Sequence, residues 1–383
     1  MIEHTTRSVS GSRASALVAL ALRGLEPMYD FESRLFCHRL RKTSEGLVRE
    51  GLSHRYTIMT LLGLLEAQSA GWSHSTDIDA TAHQLLHDTD WVDNLGDLGL
   101  LLWLCGSMSK ERLQEFYSQF DVSRALSRYP DACLRLTMEL SWFLTGLVHA
   151  YRTEPCSRLA SVAAETSRRL QENQGPHGLF GHMAVAHSFR GVFRGRIGSF
   201  ADQVYPMVAL SHFARLFNDH PARESALGCA RAICGRQGSM GQWWWHYNSV
   251  SGRVVEHYPV YSVHQHGMAP MALNAVQELS DADFQTPLSR GLKWIDGTNE
   301  MGESLESPEN GIIWRCVRLA KRNPYLVGCH TLMGRTPSAA LHTLHECRPY
   351  ELGWLLYALA APGPSRYEPF RFTGNESIRH RSN

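Results

Sequence analysis

Nearly all-apolar stretches of eight to fourteen residues recur along this chain, and each follows a short polar or turn-like entrance. The six stretches span residues 58–65, 98–105, 140–149, 204–217, 268–276 and 352–360. Because apolar residues occupy every side of these stretches, the pattern predicts helices that are buried all round.

Amphipathic stretches with one charged face lie between the buried ones. They span residues 110–119, 157–171, 221–234 and 284–296, and their periodicity predicts surface helices. An alternation of buried and surface helices is expected for helical hairpins stacked into a ring. Strand signals are scarce, and the best are Val254-Val255 and Ile312-Ile313-Trp314.

Three segments share one kind of turn, in which a glutamine is followed by a gap, a glycine and an aromatic residue. These turns occupy residues 68–72, 174–180 and 237–243, and their glycines are Gly71, Gly178 and Gly241. A glycine at this position supplies the left-handed conformation that ends a helix. The aromatic residue is expected to fill the junction between hairpins.

With these buried helices and repeated turns, the chain resembles the α/α-toroid proteins. That group includes six-hairpin glycosidases, sugar epimerases, polysaccharide lyases, terpenoid cyclases and protein prenyltransferases. The resemblance implies an all-α fold, an (α/α)6 toroid of six inner and six outer helices with short β hairpins or loops at the funnel end. It implies one domain over residues 1–365 and a flexible tail over 366–383.

The resemblance is to a fold and not to one activity. The turn at residues 237–243 looks like the repeat of the cyclase and prenyltransferase branch. The Asp-x-Asp-Asp signature of squalene-type cyclases is missing, however, and Asp77-Ile-Asp79-Ala80 is the nearest string. The zinc ligand set of the prenyltransferases is not recognisable either.

Composition restricts the class of protein. The chain has 383 residues, 43% of them hydrophobic, and a formal net charge of +1, so a large core is expected and nucleic acid is not an expected partner. Nine cysteines without a Cys-x-x-Cys pair indicate free thiols in the cytoplasm. The apolar segment 14–22 is predicted to be an opening helix rather than a signal peptide. No membrane span is expected, and the oligomeric state is left open.

In such a ring, the polar entrances of the six inner helices converge on the floor of a funnel. A helix start also favours an acidic cap, so each carboxylate has a purely structural alternative. The entrance residues are Arg55, Tyr56, Asp97, Glu139, Asp202, Gln203, Tyr205, Tyr261, His264, His266, Tyr350 and Glu351.

Asp202 is the first choice for a catalytic acid or base. It lies among aromatic residues in the sequence, and burial of its carboxyl group among them would raise its pKa. Glu139 and Glu351 are the candidates for a second carboxylate. His264 is predicted to carry protons and His266 to contact the substrate, with a packing role as the alternative for both. No metal site and no cofactor are predicted.

The predicted substrate contacts combine cations with aromatic faces. Arginines among glycines suit a carboxylate or phosphate ligand, although they could instead pair with acidic residues on the rim. At most two of the three consecutive tryptophans can face the funnel. The predicted substrate-binding residues are Arg190, Arg194, Arg196, Gln203, Tyr205, Trp243, Trp244, Tyr247, Tyr258, Tyr261, His266, Arg55, Tyr56, Trp314 and Arg315.

These features predict an enzyme that acts on an anionic carbohydrate, such as a uronate-containing glycan, by hydrolysis, β-elimination or epimerisation. The partner is then a small-molecule or oligosaccharide substrate. One alternative is a terpenoid-cyclase-like enzyme, in which the aromatic faces stabilise carbocations and Asp202 donates the proton. A second alternative is a non-catalytic toroid that binds a glycan or a peptide.

Overall fold

The computed structural model describes residues 2–128, 136–183, 195–320 and 340–360, with side chains from residue 13 onwards. The described chain is mostly helical. Its helices are α1 (Ile2–Leu25), α2 (His54–Ser69), α3 (Ile78–His87), α4 (Leu95–Met108), α5 (Lys110–Gln119), α6 (Val122–Arg128), α7 (Thr137–Thr153), α8 (Ser157–Gln171), α9 (Ala201–Phe217), α10 (His220–Cys234), α11 (Ala269–Gln277), α12 (Gln285–Ile295) and α13 (Pro349–Leu359). One turn of π-helix, His264–Met268, leads directly into α11.

All six apolar stretches form buried helices, which are α2, α4, α7, α9, α11 with its π-helical turn, and α13. Each packs on the next in chain order, and α13 packs back on α2. The amphipathic helices α3, α5, α8 and α10 lie against them, while α12 contacts the π-helical turn and α1 contacts α13. The described contacts therefore close a circuit of buried helices with surface helices around it.

Two crossings between buried helices depend on glycine. A Cβ atom on Gly63 of α2 would lie 2.0 Å from the carbonyl oxygen of Gly353 in α13. A Cβ atom on Gly146 of α7 would lie 2.5 Å from the carbonyl oxygen of Gly99 in α4. No side chain fits at either point, so the two backbones touch and the buried helices come close together.

Polar residues in the entrances cap the helices that follow. The side chain of Ser53 accepts a hydrogen bond from the backbone N–H of Tyr56, and that of Asn94 accepts one from Asp97. Asp77 caps α3 in the same way through Ala80, so this acidic string begins a helix that the sequence pattern did not predict. Part of the polar character of the entrances is thus explained by unsatisfied N–H groups at helix starts.

The three repeated turns have the predicted glycine geometry, with φ of +86° at Gly71, +79° at Gly178 and +100° at Gly241. Two of the glutamines also have a direct role. Gln174 donates to the carbonyl of Gly178 at 2.8 Å, and Gln237 donates to the carbonyl of Gly241 at 3.0 Å. The glutamine side chain therefore clamps its own turn.

Short strands precede several buried helices, and they are more numerous than the sequence pattern suggested. They are β1 (Tyr29–Asp30), β2 (Leu35–Thr43), β3 (Gly46–Leu52), β4 (Ile197–Ser199), β5 (His246–Asn248), β6 (Val254–Glu256), β7 (Val260–Tyr261), β8 (Glu306–Ser307), β9 (Ile312–Ile313), β10 (Cys316–Leu319), β11 (Leu341–Leu344) and β12 (Glu346–Cys347). The hairpin β2–β3 was not predicted, whereas Val254-Val255 and Ile312-Ile313 are strands as expected.

The described strand pairs are all antiparallel and connect distant parts of the chain. Strand β2 pairs with β1, β3 and β12, which brings residues near the two ends of the chain together. Strand β5 pairs with β4 and β6, and β10 pairs with β7 and β11. These sheets stand immediately before α2, α9, the π-helical turn and α13, so they shape the ends where those helices begin.

Within the described residues, no helix is both long and apolar enough to span a membrane. The described part of the chain also holds no group of three or more His, Cys, Asp or Glu side chains arranged to bind a metal ion. The predicted opening helix is present as α1. The predicted tail, residues 366–383, lies outside the described ranges.

Candidate functional site

Charged side chains form a continuous string across the amino ends of α2, α4, α7 and α9. In the first pair, Nε of Arg55 on α2 donates to Oδ1 of Asp97 on α4 at 2.8 Å. Nδ2 of Asn94 donates to the other oxygen, also at 2.8 Å. Asp97 is buried while the Arg55 side chain is 40% exposed, so the pair has its cation on the open side.

Glu139, in the first turn of α7, is the next member of the string. Burial raises the pKa of its carboxyl group above the ordinary value, and the negative charge of Asp97 raises it further. Arg55, the backbone N–H of Gly96 and His182 act in the opposite direction. A carboxyl group whose pKa is raised keeps its proton to a higher pH than an ordinary glutamate, which is what a general acid requires.

Asp202, at the start of α9, is almost fully buried, with 1% exposure. Its Oδ2 accepts hydrogen bonds from the backbone N–H of Ser199 at 2.8 Å, from the Ser199 hydroxyl at 2.9 Å, and from Nδ1 of His182 at 3.1 Å. The Ser199 hydroxyl in turn accepts from the backbone N–H of Asp202 at 3.2 Å. Ser199 and Asp202 thus bond each other reciprocally where α9 begins.

The geometry favours a positioning role for Asp202 over the catalytic role predicted from the sequence. A carboxylate oxygen that already accepts three hydrogen bonds in the interior is poorly placed to exchange protons with a substrate. It positions His182 instead, since we assign the proton on Nδ1 to the bond with Asp202, which leaves Nε2 as an acceptor. The His182 side chain is partly exposed and close enough to Glu139 to influence its pKa.

Glu351, the predicted partner carboxylate on α13, is also structural. One of its oxygens accepts from the backbone N–H of Arg348 at 3.0 Å, and the other pairs with Arg315. Burial raises the pKa of Glu351, and the charge of Arg315 partly offsets this. Because Arg315 is buried between Glu351 and Glu346, neither it nor Glu351 is available to a substrate as predicted.

The two histidines of the π-helical turn are interior residues. Burial lowers the pKa of His264 to about 3 and that of His266 to about 3. His264 packs against Phe200, with ring centroids 4.5 Å apart. The predicted proton carrier His264 is therefore a neutral ring near pH 7, and the buried His266 does not reach a substrate. The packing alternative describes both.

Tyrosines occupy the centre of the same end. Tyr56 and Tyr350 lie with ring centroids 4.6 Å apart, and the Tyr56 hydroxyl accepts from Nη1 of Arg348 at 2.6 Å. Tyr205 is buried beneath them, where its hydroxyl accepts from Nε1 of Trp354 at 2.9 Å. Tyr56 is partly exposed, whereas Tyr205 supports the site from below rather than contacting substrate as predicted.

Trp142 was not predicted to belong to the site. Its ring lies edge-on to Tyr205, with centroids 5.1 Å apart, and the Arg55 guanidinium stands 5.7 Å from its centroid. It therefore connects the charged string to the tyrosines.

The aromatic stretch before the π-helical turn divides into two groups. Trp245 and Tyr261 are half-buried and in contact, with ring centroids 4.9 Å apart, and Arg315 lies 4.9 Å from the Tyr261 ring. Trp244 contacts His257 and lies 6.2 Å from Tyr258, whose hydroxyl donates to Glu300 at 2.8 Å. Trp245, which the sequence analysis left out, is the tryptophan next to His264.

Burial corrects four further predicted substrate contacts. Trp243 is fully buried against Phe200, and Tyr247 is fully buried with its hydroxyl accepting from the backbone of Trp244. Gln203 is also buried, and its side-chain amide accepts a hydrogen bond from the backbone N–H of Phe180 and donates one to the carbonyl of the same residue. Trp314 is buried beside His345 and Lys42 on the strand side.

Of the three predicted anion-binding arginines, Arg190 and Arg194 lie outside the described residues. Arg196 is exposed just before β4, and its carbonyl accepts from Ser249. Their predicted role stays a prediction.

His182 is the member of the string that sequence analysis missed. The sequence feature that could have identified His182 is its position directly after the Gly178 turn, in the segment that leads to α9.

Two surface depressions, of about 600 and 710 Å3, lie elsewhere. The first lies between Gln68, Trp72, Asp77 and Met108, and the second between Arg23, Leu47 and Glu309. Neither is lined by a member of the charged string, so the site is defined by its side-chain chemistry rather than by these depressions.

No protein-family model matches the sequence, and no curated protein matches it. Solved structures, however, resemble the chain over nearly its whole length. An unsaturated glucuronyl hydrolase from Bacillus sp. GL1, described as responsible for the degradation of glycosaminoglycan, is 15% identical with a TM-score of 0.56, and the match covers 91% of this chain and 96% of that one.

Two other structures give the same result. An unsaturated glucuronyl hydrolase described as specific for heparin is 14% identical with a TM-score of 0.58, covering 92% of this chain and 95% of that one. A mutant of the enzyme from Streptococcus agalactiae, complexed with dGlcA-GalNAc6S, is 12% identical with a TM-score of 0.60, covering 91% of both chains. The predicted resemblance to the α/α-toroid proteins is confirmed, and the chain has the fold of the unsaturated glucuronyl hydrolases.

Proposed function

We propose that this protein is a hydrolase that acts on an anionic, uronate-containing carbohydrate in a funnel where the buried helices begin. The full arrangement proposed is an (α/α)6 toroid, with α2, α4, α7, α9, α11 and α13 inside and α1, α3, α5, α8, α10 and α12 outside. The observation that carries the proposal is the half-buried Glu139 with its raised pKa, placed between Asp97 and His182.

Hydrolysis of a glycoside requires one group that donates a proton and an environment that favours the attack of water. Glu139 is suited to donate, because burial and Asp97 both favour its protonated form. Asp97 is paired with Arg55 at 2.8 Å, so it supplies a fixed negative charge. The two carboxyl groups thus have different environments and different roles.

His182 has a positioning role in this scheme. Its Nδ1 is held by Asp202 at 3.1 Å, which fixes the ring and leaves Nε2 free to accept a hydrogen bond from a water molecule or a substrate hydroxyl. Tyr56 and Trp245 supply partly exposed aromatic faces near the charged string, and such faces suit the apolar sides of sugar rings. Trp142 is buried and packs against Arg55 from below the surface.

Hydrolysis is favoured over β-elimination and epimerisation because the solved structures with this fold bear the names of hydrolases. The terpenoid-cyclase alternative fits poorly with a carboxyl group, Glu139, whose charged neighbours are Asp97, Arg55 and His182. The non-catalytic alternative, a toroid that only binds a glycan or a peptide, does not require a carboxyl group with a raised pKa such as Glu139.

The remaining proposals concern the setting of the enzyme. A single catalytic domain over residues 1–365, an oligosaccharide partner and a cytoplasmic location are proposed together. The location is supported by the cysteines, since the seven within the described ranges are all free, as expected where thiols stay reduced.

The test is a panel of disaccharides that end in glucuronate, in unsaturated glucuronate or in neutral glucose, incubated with the purified protein. Mass spectrometry of the products should show release of a monosaccharide from a uronate-ended substrate and none from its neutral counterpart. Cleavage of neutral and uronate-ended disaccharides at equal rates, or of none of them, would contradict the proposal.

A further inference from the structure

A network of ion pairs surrounds the start of α13, and its charges do not balance. Among the residues that the structure describes, four guanidinium groups share three carboxylates. Glu50 pairs with Arg39 and Arg41. Glu346 pairs with Arg39, Arg315 and Arg348. Glu351 pairs with Arg315.

Within this network, Arg348 is the guanidinium group that lies farthest from its carboxylate partner. Its Nη2 lies 3.5 Å from Glu346, whereas Arg39 and Arg315 approach the same carboxylate to 2.9 and 3.1 Å. Within the described structure, the buried Nε of Arg348 has no hydrogen-bond partner. An under-paired guanidinium in a partly buried place favours an added anion.

Arg348 also faces the proposed site. Its Nη1 donates to the Tyr56 hydroxyl at 2.6 Å, and its guanidinium lies 5.7 Å from the Tyr56 ring. Tyr56 in turn contacts Tyr350, and its neighbour in sequence is Arg55, the partner of Asp97. The Arg348 side chain is 20% exposed, so part of it can be reached by a ligand.

The other described cations near this end are less suitable. Arg55 forms a 2.8 Å bond with Asp97, so an anion would have to compete with that carboxylate. Arg315 is buried between Glu346 and Glu351. Arg348 alone among these three combines a distant carboxylate, an unpaired N–H group and contact with a partly exposed tyrosine.

We propose that Arg348 binds the carboxylate of the uronate unit, with the Tyr56 hydroxyl beside it, and thereby sets the preference of the site for anionic sugars. This inference rests on the proposed function, because it names the residue that recognises the charged part of that substrate. The carboxylate accepts two hydrogen bonds from the guanidinium, in the planar fork that arginine and carboxylate form.

The inference is tested by binding rather than by turnover. Isothermal titration calorimetry with methyl glucuronide and with methyl glucoside gives an affinity ratio that isolates the contribution of the carboxylate. The wild-type protein should prefer the glucuronide. In Arg348→Gln the ratio should fall on the order of tenfold to a hundredfold, as expected for a hydrogen-bonded charge pair.

Two further variants complete the test. Arg348→Lys should retain part of the preference, because it keeps the charge but lacks the fork. Arg41→Gln, which removes another guanidinium of the network paired with Glu50, should leave the ratio unchanged. Thermal unfolding of each variant checks that it is folded, and Arg348→Lys alone decides the matter if Arg348→Gln does not fold.

An unchanged ratio in both Arg348 variants, or a wild-type protein that binds the two sugars equally, would overturn the inference. Failure of the proposed function appears differently. In that case the wild-type protein prefers the glucuronide through Arg348 but releases no monosaccharide from any uronate-ended disaccharide.

Discussion

At Glu139, burial and the charge of a neighbouring carboxylate act in the same direction. Both raise its pKa, and the opposing effects of Arg55, the Gly96 N–H and His182 do not cancel them. The residue is therefore protonated at a higher pH than an ordinary glutamate. Its companion Asp97 has a guanidinium partner at 2.8 Å, and this difference between two adjacent carboxyl groups gives each its own role.

The pH dependence of activity follows from this arrangement. A general acid acts in its protonated form, so the rate should fall as the pH rises through the pKa of Glu139. In Asp97→Asn the like charge is lost and Arg55 loses its ionic partner, and both changes lower the pKa of Glu139. The alkaline limb of the pH–rate profile should therefore move to lower pH.

The profile of kcat/KM against pH measures this shift. Asp281→Asn, which removes an exposed carboxylate, is the control and should leave the profile in place. An alkaline limb that stays where it is in Asp97→Asn, or moves to higher pH, would show that Asp97 does not set the protonation of Glu139.

At the scale of elements, the closest contacts between buried helices are made by glycine. Gly63 on α2 meets Gly353 on α13, and Gly99 on α4 meets Gly146 on α7. The sequence pattern predicted which helices are buried, because apolar residues on all sides leave no surface for water. It did not predict which helices touch through glycine, since that depends on how they cross.

Gly63→Ala should destabilise the protein by about 1–3 kcal/mol, because the new methyl group has no space beside the Gly353 carbonyl and overpacking of this kind forces the helices apart. Gly228→Ala is the matched control, since a Cβ atom there meets no other atom within 4 Å. It should instead stabilise α10 by about 0.5–1 kcal/mol, as expected for alanine in place of a helical glycine.

Urea denaturation gives both free energies of unfolding. Equal effects of the two substitutions would contradict the proposed close contact between α2 and α13.

The π-helical turn carries a second element-scale consequence. His266 is fully buried, neither of its ring nitrogens has a hydrogen-bond partner in the described structure, and its pKa is lowered to about 3. The unfolded chain binds a proton at this histidine near pH 6.5, whereas the folded protein does not until about pH 3. Stability contributed by the neutral ring is therefore present above about pH 6.5 and is lost as the pH falls.

His266→Met should remove this contribution to the pH dependence. Between pH 7 and pH 5, the free energy of unfolding of the variant should fall by about 2 kcal/mol less than that of the wild-type protein. His220→Gln, at an exposed position, should behave as the wild type. If His266→Met loses stability with acid exactly as steeply as the wild type, the buried neutral state of His266 is wrong.

The short strands show where prediction from sequence stopped. The hairpin β2–β3 mixes charged and apolar residues without regular alternation, and its charges pair with one another and with Glu346, which is about 300 residues away. Pairing of this kind cannot be deduced from local periodicity. Strands of two to four residues such as β7 and β12 carry too few positions for any pattern to be distinctive.

At the scale of the whole molecule, the circuit of buried helices explains why the predicted entrance residues lie near one another. Convergence of helix starts follows from stacking hairpins into a ring, so Arg55, Asp97, Glu139 and Asp202 could be grouped from sequence alone. Their individual roles could not, because the difference between Glu139 and Asp202 depends on Ser199 and His182, which form hydrogen bonds with Asp202.

The same limit applies to the aromatic residues and histidines before α11. Their number indicated a site, yet Trp243, Tyr247 and His266 are buried, whereas Trp245 and Tyr261 are only half-buried. Which face of a short irregular segment points inward is decided by tertiary packing against residues such as Phe200. The sequence therefore located this region and named Tyr261 among its partly exposed members, but it left out Trp245.

The account depends most on Glu139 as the proton donor of a uronate-directed hydrolase. The most direct test compares the initial rates of the wild-type protein, Glu139→Gln and the control Glu224→Gln on a uronate-ended disaccharide, with methyl glucuronide affinity measured for all three. We expect Glu139→Gln to lose about 10²–10⁴-fold in rate while keeping its fold and its affinity, and the control to match the wild type. A Glu139→Gln protein that hydrolyses the disaccharide at the wild-type rate would contradict the account.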